Sequence, residues 1–316
     1  MLCSLLLLGN LWVSSFWRAA VPGGAIGKIG LTMSKFVIVA ESGADIPVEV
    51  RERYNIHIVP MHVIIGDETM DDGTVSGHEV YERSRALGVM PKTSAATLHG
   101  FVTTFDRLHQ EYPDATILHV AYSSVTTCSY ASALTAAQGR HYVVSIDTKN
   151  VSIGQSLVVV RTAQFIEEHP DATVDDVLAF VESMRDRVLL GFVPSDLAYL
   201  RAGGRLSNTQ FLGAHLLKIK PVIELVDGNF VATKKLRGSM KRATLHFIDH
   251  LMSEGPVNME RVGLAYSDGL GQDIKDAVEG HVTKLGFKSF DWVEVGGMVS
   301  SHCGPCAFGA VMEKRA

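Results

Sequence analysis

Short, almost unbroken runs of apolar, β-prone residues alternate with longer amphipathic stretches along the first half of this 316-residue chain. That alternation limits the fold more than any other feature. Phe36 to Ala40 is the first such run, and its tail, Glu41-Ser42-Gly43-Ala44-Asp45-Ile46-Pro47, reads as a loop that starts a helix at Pro47. Ile56 to Ile65 reads as a second strand region, with Thr116 to Ala121 and Tyr142 to Asp147 as further strands. Helical spacing covers Ser76 to Leu87, Thr97 to Glu111 and Cys128 to Gly139, with Ser76 three residues before Glu79 in the order of a capping box. Strands without a polar face need cover on both sides. The order therefore predicts an α/β fold with a parallel sheet flanked by helices, and ligands at the carboxyl ends of its strands.

The pattern changes after two more helical stretches, Ser152 to His169 and Thr173 to Arg187, separated by Pro170-Asp171. Leu189 to Val193, Pro221 to Val226, Phe230 to Lys235 and Val262 to Tyr266 read as strands, the middle pair joined by an Asp227-Gly228-Asn229 hairpin turn. Helices at Ser239 to Ser253 and Gln272 to Lys284 complete a second, smaller mixed α/β unit. Two packed units also suit a chain longer than roughly 100–200 residues. The boundary is expected near residues 165 to 175, giving units of 34–168 and 169–316. Residues 1–33 stand apart. Leu2 to Val13 is apolar, but no Lys or Arg precedes it, Gly9-Asn10 break it, and it is shorter than the ~20 residues of a membrane span. Met33 then opens directly onto the first buried-strand pattern, so residues 1–32 read as an upstream extension from a misplaced start, with a secretory or lipoprotein signal as the alternative.

Composition excludes several classes of function. The formal net charge is −5 and no run of five basic residues occurs, whereas a nucleic-acid protein needs a basic face to displace phosphate counterions. Membrane-surface binding fails on the same ground, and stable membrane insertion fails on segment length. The four cysteines, Cys3, Cys128, Cys303 and Cys306, are too few for a secreted disulfide framework, which points to a reducing, cytoplasmic setting.

Two hydroxyl clusters stand before predicted helices: Thr93-Ser94-Ala95-Ala96-Thr97, and Ser123-Ser124-Val125-Thr126-Thr127-Cys128-Ser129. Hydroxyls and free N–H groups at helix starts bind anionic oxygens, yet Ser and Thr there are also ordinary N-caps. The residues alone leave the two readings balanced. Arg201 and Arg205 flank Gly203-Gly204, and Lys234-Lys235-Leu236-Arg237 ends a strand; each set suits an anion, a partner surface or a solvated face. Asp45 and Asp147, at strand ends, fit acid/base roles or, more ordinarily, loop and helix capping. Gly269-Leu270-Gly271 lacks the third glycine of a dinucleotide fingerprint, and no Gly-X-Ser-X-Gly elbow occurs. Ser301-His302-Cys303-Gly304-Pro305-Cys306 contains the Cys-Gly-Pro-Cys of dithiol redox sites, but the βαβ context is missing. A thiol-disulfide oxidoreductase using Cys303 and Cys306 is therefore the alternative function. His302, Cys303 and Cys306 have metal-ligand chemistry without a second motif to complete a site.

Taken in order, the Glu41 to Pro47 loop, Pro91-Lys92-Thr93-Ser94, Ser123-Ser124, Tyr130, Ser145-Ile146-Asp147, Leu197 to Ser207, Ile219-Lys220-Pro221, Asp227-Gly228, Lys235-Leu236-Arg237, and His302 with Gly304-Pro305 resemble the DegV family of bacterial fatty-acid-binding proteins. That family includes the FakB carrier subunits of fatty-acid kinase. The resemblance runs from Ser34 to Val311 and implies a two-domain α/β fold with an acyl chain in a buried tunnel, chiefly in the first domain. It implies that the carboxylate is held at the domain interface by Thr93 or Ser94, by Thr127 or Ser129, and by His302. It implies that Arg205 and Arg237 contact the catalytic subunit of the kinase, which phosphorylates the bound acid. The chain would then be a carrier without a catalytic set, cofactor or metal. Burying about fifteen methylenes at ~0.8 kcal/mol each supplies ample gross affinity. The sequence departs from the family at Glu41, usually Asp, and at Cys128, Cys303 and Cys306, of which 128 and 306 are usually glycine. Those segments are expected to bring Cys128 near Cys303 or Cys306.

Overall fold

The computed structural model describes residues 35–205 and 219–315. The predicted extension at 1–32 lies outside them, as do Leu206 and Ser207 of the arginine-flanked motif. In chain order the first half comprises β1 (Phe36–Glu41), α1 (Val48–Tyr54), β2 (Ile56–Val59), β3 (His62–Ile65), β4 (Glu68–Asp71), α2 (Gly77–Leu87), β5 (Lys92–Ser94), α3 (Leu98–Glu111), β6 (Thr116–Ala121), α4 (Ser129–Ala136), β7 (Val143–Asp147) and α5 (Ser152–Glu168). The second half comprises α6 (Val174–Arg185), β8 (Val188–Val193), α7 (Ala198–Ala202), β9 (Ile219–Val226), β10 (Asn229–Arg237), α8 (Met240–Ser253), β11 (Val262–Tyr266), α9 (Gln272–Leu285), β12 (Phe290–Glu294), α10 (Gly297–Cys303) and β13 (Phe308–Glu313).

The apolar runs form the expected parallel sheet, in the order β2-β1-β6-β7. Every residue of β1 is buried, as a strand covered on both faces requires. The capping box before α2 forms in both directions, Ser76 Oγ accepting from Glu79 N and the Glu79 carboxylate from Ser76 N. One expectation fails at Pro60. The run Ile56 to Ile65 is two strands in two sheets, because Pro60 offers no N–H to a ladder and Met61 N donates to Ser42 Oγ at 2.9 Å instead. Beyond that break, β3 pairs antiparallel with β4 and β5 in a separate three-stranded sheet, which places Thr93 and Ser94 on a strand.

The second sheet is mixed, with six strands in the order β10-β9-β8-β13-β11-β12. The sequence reading did not include β12 or β13, yet β13 is central. It runs antiparallel to both β8 and β11 and is buried along its length. Helix α5 joins the two sheets. It packs against β1 and β6 on one side and β8, β11 and β13 on the other, and Ser152 to Val160 are buried without interruption. A helix buried all round belongs between layers. One continuous core therefore spans Ile38, Leu118, Val158, Leu190 and Val311, while Phe247, Leu251, Val282 and Phe308 form a second core on the far face of the mixed sheet. Among the described residues no helix is long and apolar enough to cross a membrane.

Candidate functional site

A cavity of about 270 Å³ lies between the parallel sheet and the mixed sheet, near the lower end of the roughly 300–1,000 Å³ usual for ligand pockets. Most of its apolar wall comes from the mixed sheet, through Leu190, Phe192, Ile223, Leu225, Phe230 and Ala265. The first unit supplies Met61, Tyr122, Val151 and Ile153. The apolar chamber is therefore shared, rather than held chiefly in the first domain.

One end of the cavity is polar. Thr93 on β5, Thr126 and Thr127 in the β6–α4 loop, Arg205 after α7, and His302 near the end of α10 all line it. Thr93 Oγ1 lies 2.8 Å from His302 Nε2. His302 Nδ1 has no hydrogen-bond partner among the described residues and faces Gly203, where a β-carbon would stand only 2.3 Å from it. Burial, aided by the Arg205 guanidinium, pushes the His302 imidazole down to about 4, so the ring is neutral at physiological pH. With Nδ1 lacking an acceptor and near a cation, the lone pair belongs on Nδ1 and the proton on Nε2. Nε2–H then donates to Thr93 Oγ1 and leaves the Thr93 hydroxyl proton free for an anionic oxygen. Arg205 is anchored by its Nη1 on Gly203 O and its Nη2 on Thr126 O, each at 2.6 Å.

The predicted site residues divide on this geometry. Thr93, Ser94, Thr127, His302 and Arg205 converge on the cavity. Ser129 does not line it. Its hydroxyl accepts from Ala96 N at 3.1 Å and contacts Thr127 Oγ1 at 3.1 Å, tying the two hydroxyl clusters together from behind. Thr97 is an ordinary cap, accepting from Gly100 N. Arg237 ends β10 at the exposed edge of the mixed sheet, away from the cavity.

Residues given no binding role by the sequence reading hold this site in place. Asp45 Oδ1 accepts from Gly296 N at 2.8 Å and Oδ2 from Ser152 Oγ at 2.5 Å, while Asp72 Oδ1 accepts from Met298 N at 2.9 Å. Two carboxylates thus seat the start of α10, the helix that carries His302. Burial pushes Asp45 up to about 7 against those two hydrogen bonds, with the Asp72 charge adding to the rise. Asp147 has the bland role foreseen for it, accepting from Ser124 Oγ at 2.6 Å and Lys149 N at 2.8 Å. Deeper in the parallel sheet, Glu41 and His119 are both fully buried, 3.2 Å apart. Burial alone would raise Glu41, but His119, Tyr122 N–H and the Gln155 amide hold it below its usual range. Glu41 Oε2 takes Tyr122 N at 2.9 Å, which fixes the start of the loop leading to Thr127.

The cysteine geometry runs against dithiol chemistry. Cys303 is buried at the carboxyl end of α10, where burial pushes its thiol up to about 12, whereas a redox motif needs a lowered thiol at a helix amino end. Cys128 and Cys303 both line the cavity, but Cys306 bonds Gly269 O at 3.1 Å outside its lining. Cys128 sits at an ordinary φ of −82°, while Cys306 is left-handed at +57°, as a position usually held by glycine would be. Among the described residues no group of three His, Cys, Asp or Glu side chains forms a metal site.

Residues 35–315 match the family described as uncharacterised protein, DegV family. The chain belongs to the DegV family. A DegV domain-containing protein of Caldanaerobacter subterraneus is 27 % identical over 287 residues, covering 90 % of this chain and 100 % of the relative. A DegV-family protein of Thermus thermophilus, whose structure is described in terms of fatty-acid binding, superposes with a TM-score of 0.78 at 24 % identity, over 89 % of this chain and 100 % of that one. DegV of Bacillus subtilis, described as a fatty acid binding protein, gives 0.76 at 24 % identity over the same shares. The parallel sheet, mixed sheet and intervening α5 are thus the DegV-family fold.

Proposed function

We propose that this protein binds one long-chain fatty acid in the cavity between its two sheets and presents it to the catalytic subunit of a fatty-acid kinase. The observation that carries the reading is the cavity's polarity: an apolar chamber that ends in a neutral histidine, convergent hydroxyls and the anchored Arg205 guanidinium. An ionised carboxylate is costly to bury unless several donors meet it. Thr93, oriented by His302, supplies one donor, Ser94 and Thr127 supply others, and Arg205 supplies the countercharge. Ser129 acts through Thr127. The Thermus and Bacillus relatives, described as binding fatty acids, support the same ligand class.

The kinase half of the proposal rests on the family resemblance and on one surface. Strand β10 is an edge strand on which Lys234, Lys235 and Arg237 are exposed, a basic margin on a chain of net charge −5. Such a margin suits an acidic docking face. The acid's chemistry is then performed by the partner, and this chain is the carrier.

Native mass spectrometry of protein purified from cells tests the first half. The expected result is an added mass matching an acid of roughly 14 to 20 carbons, whose buried methylenes supply the affinity. Protein free of such a mass that also fails to take up added oleic or palmitic acid overturns the reading. For the second half, Arg237→Ala is expected to leave acid binding within about twofold and to reduce phosphorylation of the bound acid by about tenfold. Equal loss of both refutes the division of roles.

A further inference from the structure

Four side-chain positions stand abreast on the cavity face of the mixed sheet: Ile223 on β9, Phe192 on β8, Gly309 on β13 and Ala265 on β11. All four line the cavity. The row is tall on one side and almost bare on the other, since Gly309 and Ala265 are register partners with one carbon of side chain between them.

Gly309 has no local reason to be glycine. Its φ is not in the left-handed region, and an added β-carbon would stand 3.4 Å from Gly191 O, 3.5 Å from Phe192 Cβ and 3.6 Å from Ala265 Cβ, all ordinary contacts. Its sheet neighbour Gly191 differs. There a β-carbon would meet Glu224 Cγ at 2.8 Å and Phe247 at 3.0 Å, so close packing on the far face demands glycine. The consequence of glycine at 309 is instead empty space inside the cavity. That space has defined limits. Phe192 stands against Phe230 edge to face on one side, and Leu190 abuts Gly154 of α5, where a β-carbon would touch it at 2.6 Å. Ala307 and Gly309 both line the cavity, two residues and about 6–7 Å apart along the strand, and Ala307 is the nearer in sequence to α10 and His302.

We infer that Gly309, with Ala265 beside it, is the chain-length determinant of this cavity: the alkyl tail of a long, unbranched acid lies on this bare stretch of sheet. The inference rests on the fatty-acid reading of the site and names what limits its ligand. Acids too short to reach the gap make no use of it. Longer acids gain affinity there, about fourfold per buried methylene. A side chain at 309 takes that volume away from the tail and leaves the carboxylate donors untouched.

The experiment measures affinity for a series of saturated acids from about eight to about eighteen carbons, in which each buried methylene should add its increment, for the full chain and for Gly309→Val and Ala265→Val. The second variant alters a position that already carries a β-carbon and keeps the test decisive if the first fails to fold. The wild type is expected to gain affinity across the series. Each variant should follow it for the shortest acids and then level off, losing about 50-fold for palmitic acid, the equivalent of about three methylenes. The same rise with length in all three proteins overturns the inference, and so does a uniform loss at every length, which would place the damage at the carboxylate or in the fold. A wild type that binds no acid of any length overturns the fatty-acid reading itself.

Discussion

Replacing Asp45 with asparagine separates a buried charge from its hydrogen bonds. The Asp45 carboxyl titrates near 3.8 in an unfolded chain and near 7 in the folded protein, where burial opposes its ionisation and Asp72 adds a like charge. Between those values the folded state holds a proton that the unfolded state has released. Stability from this group is therefore full at low pH, declines as pH rises toward 7, and is level above it. From pH 5 to pH 8 the proton difference spans about 2 pH units at 1.36 kcal/mol each, or about 2.7 kcal/mol at most. The asparagine amide keeps an acceptor for Gly296 N and can donate to Ser152 Oγ, so it resembles the protonated aspartate and does not titrate. Urea unfolding at pH 5, 6, 7 and 8 should thus show Asp45→Asn gaining on the wild type by up to about 2.7 kcal/mol across the window. Asp72, shifted in the same direction, remains in both proteins and leaves a shared slope. Parallel pH profiles for the two proteins would refute the assignment of a buried, proton-holding carboxyl at the start of α10.

Further outcomes follow from the same geometry. Thr93→Val preserves shape and removes the donor, so fatty-acid affinity in a calorimetric titration should fall by about 1.5–3 kcal/mol, the worth of a hydrogen bond to a charged acceptor. His302→Ala should weaken binding by a similar amount and add little in the Thr93→Val background, because the two act as one donor; full additivity would separate them. Gly203→Ala places a methyl 2.3 Å from His302 Nδ1, so binding should drop about tenfold or more as the ring is displaced. Cys303→Ser should leave fatty-acid binding and insulin reduction unchanged, since a thiol pushed up to about 12 is not a nucleophile near neutral pH.

The strands at Phe36 and Thr116 were legible because a strand covered on both faces has no polar alternation to hide it, and α2 because its capping box is local. Information that joins distant residues was not legible. Nothing at Asp45 announces that its carboxylate caps a helix 251 residues later. Nothing in the run Ile56 to Ile65, Pro60 apart, says that its two halves enter different sheets. At the site, residue types predicted hydroxyls near an anion and could not say which were spent. Ser129 looked equivalent to Thr127 and is consumed by Ala96 N, while Thr97 is a cap. Arg205 fits an anion, a partner surface or a solvated face equally in sequence, because its anchors are the carbonyls of Gly203 and Thr126, which no side-chain pattern reveals. The buried strand at Phe308 does have a visible signal in Phe308-Gly309-Ala310-Val311-Met312, all apolar.

The central place of β13 bears on how the protein is made. Among the described residues it follows every other strand of its sheet in chain order, yet it separates β8 from β11 and carries part of the cavity floor. The parallel sheet is complete at Asp147 and can assemble while the rest of the chain is still being synthesised, as amino-terminal units commonly do. The mixed sheet cannot. Its two halves stay unjoined, with apolar faces open, until β13 inserts between them. Until then the cavity lacks the wall that Gly309 and Ala307 supply, and apolar surface that would otherwise invite aggregation stays open.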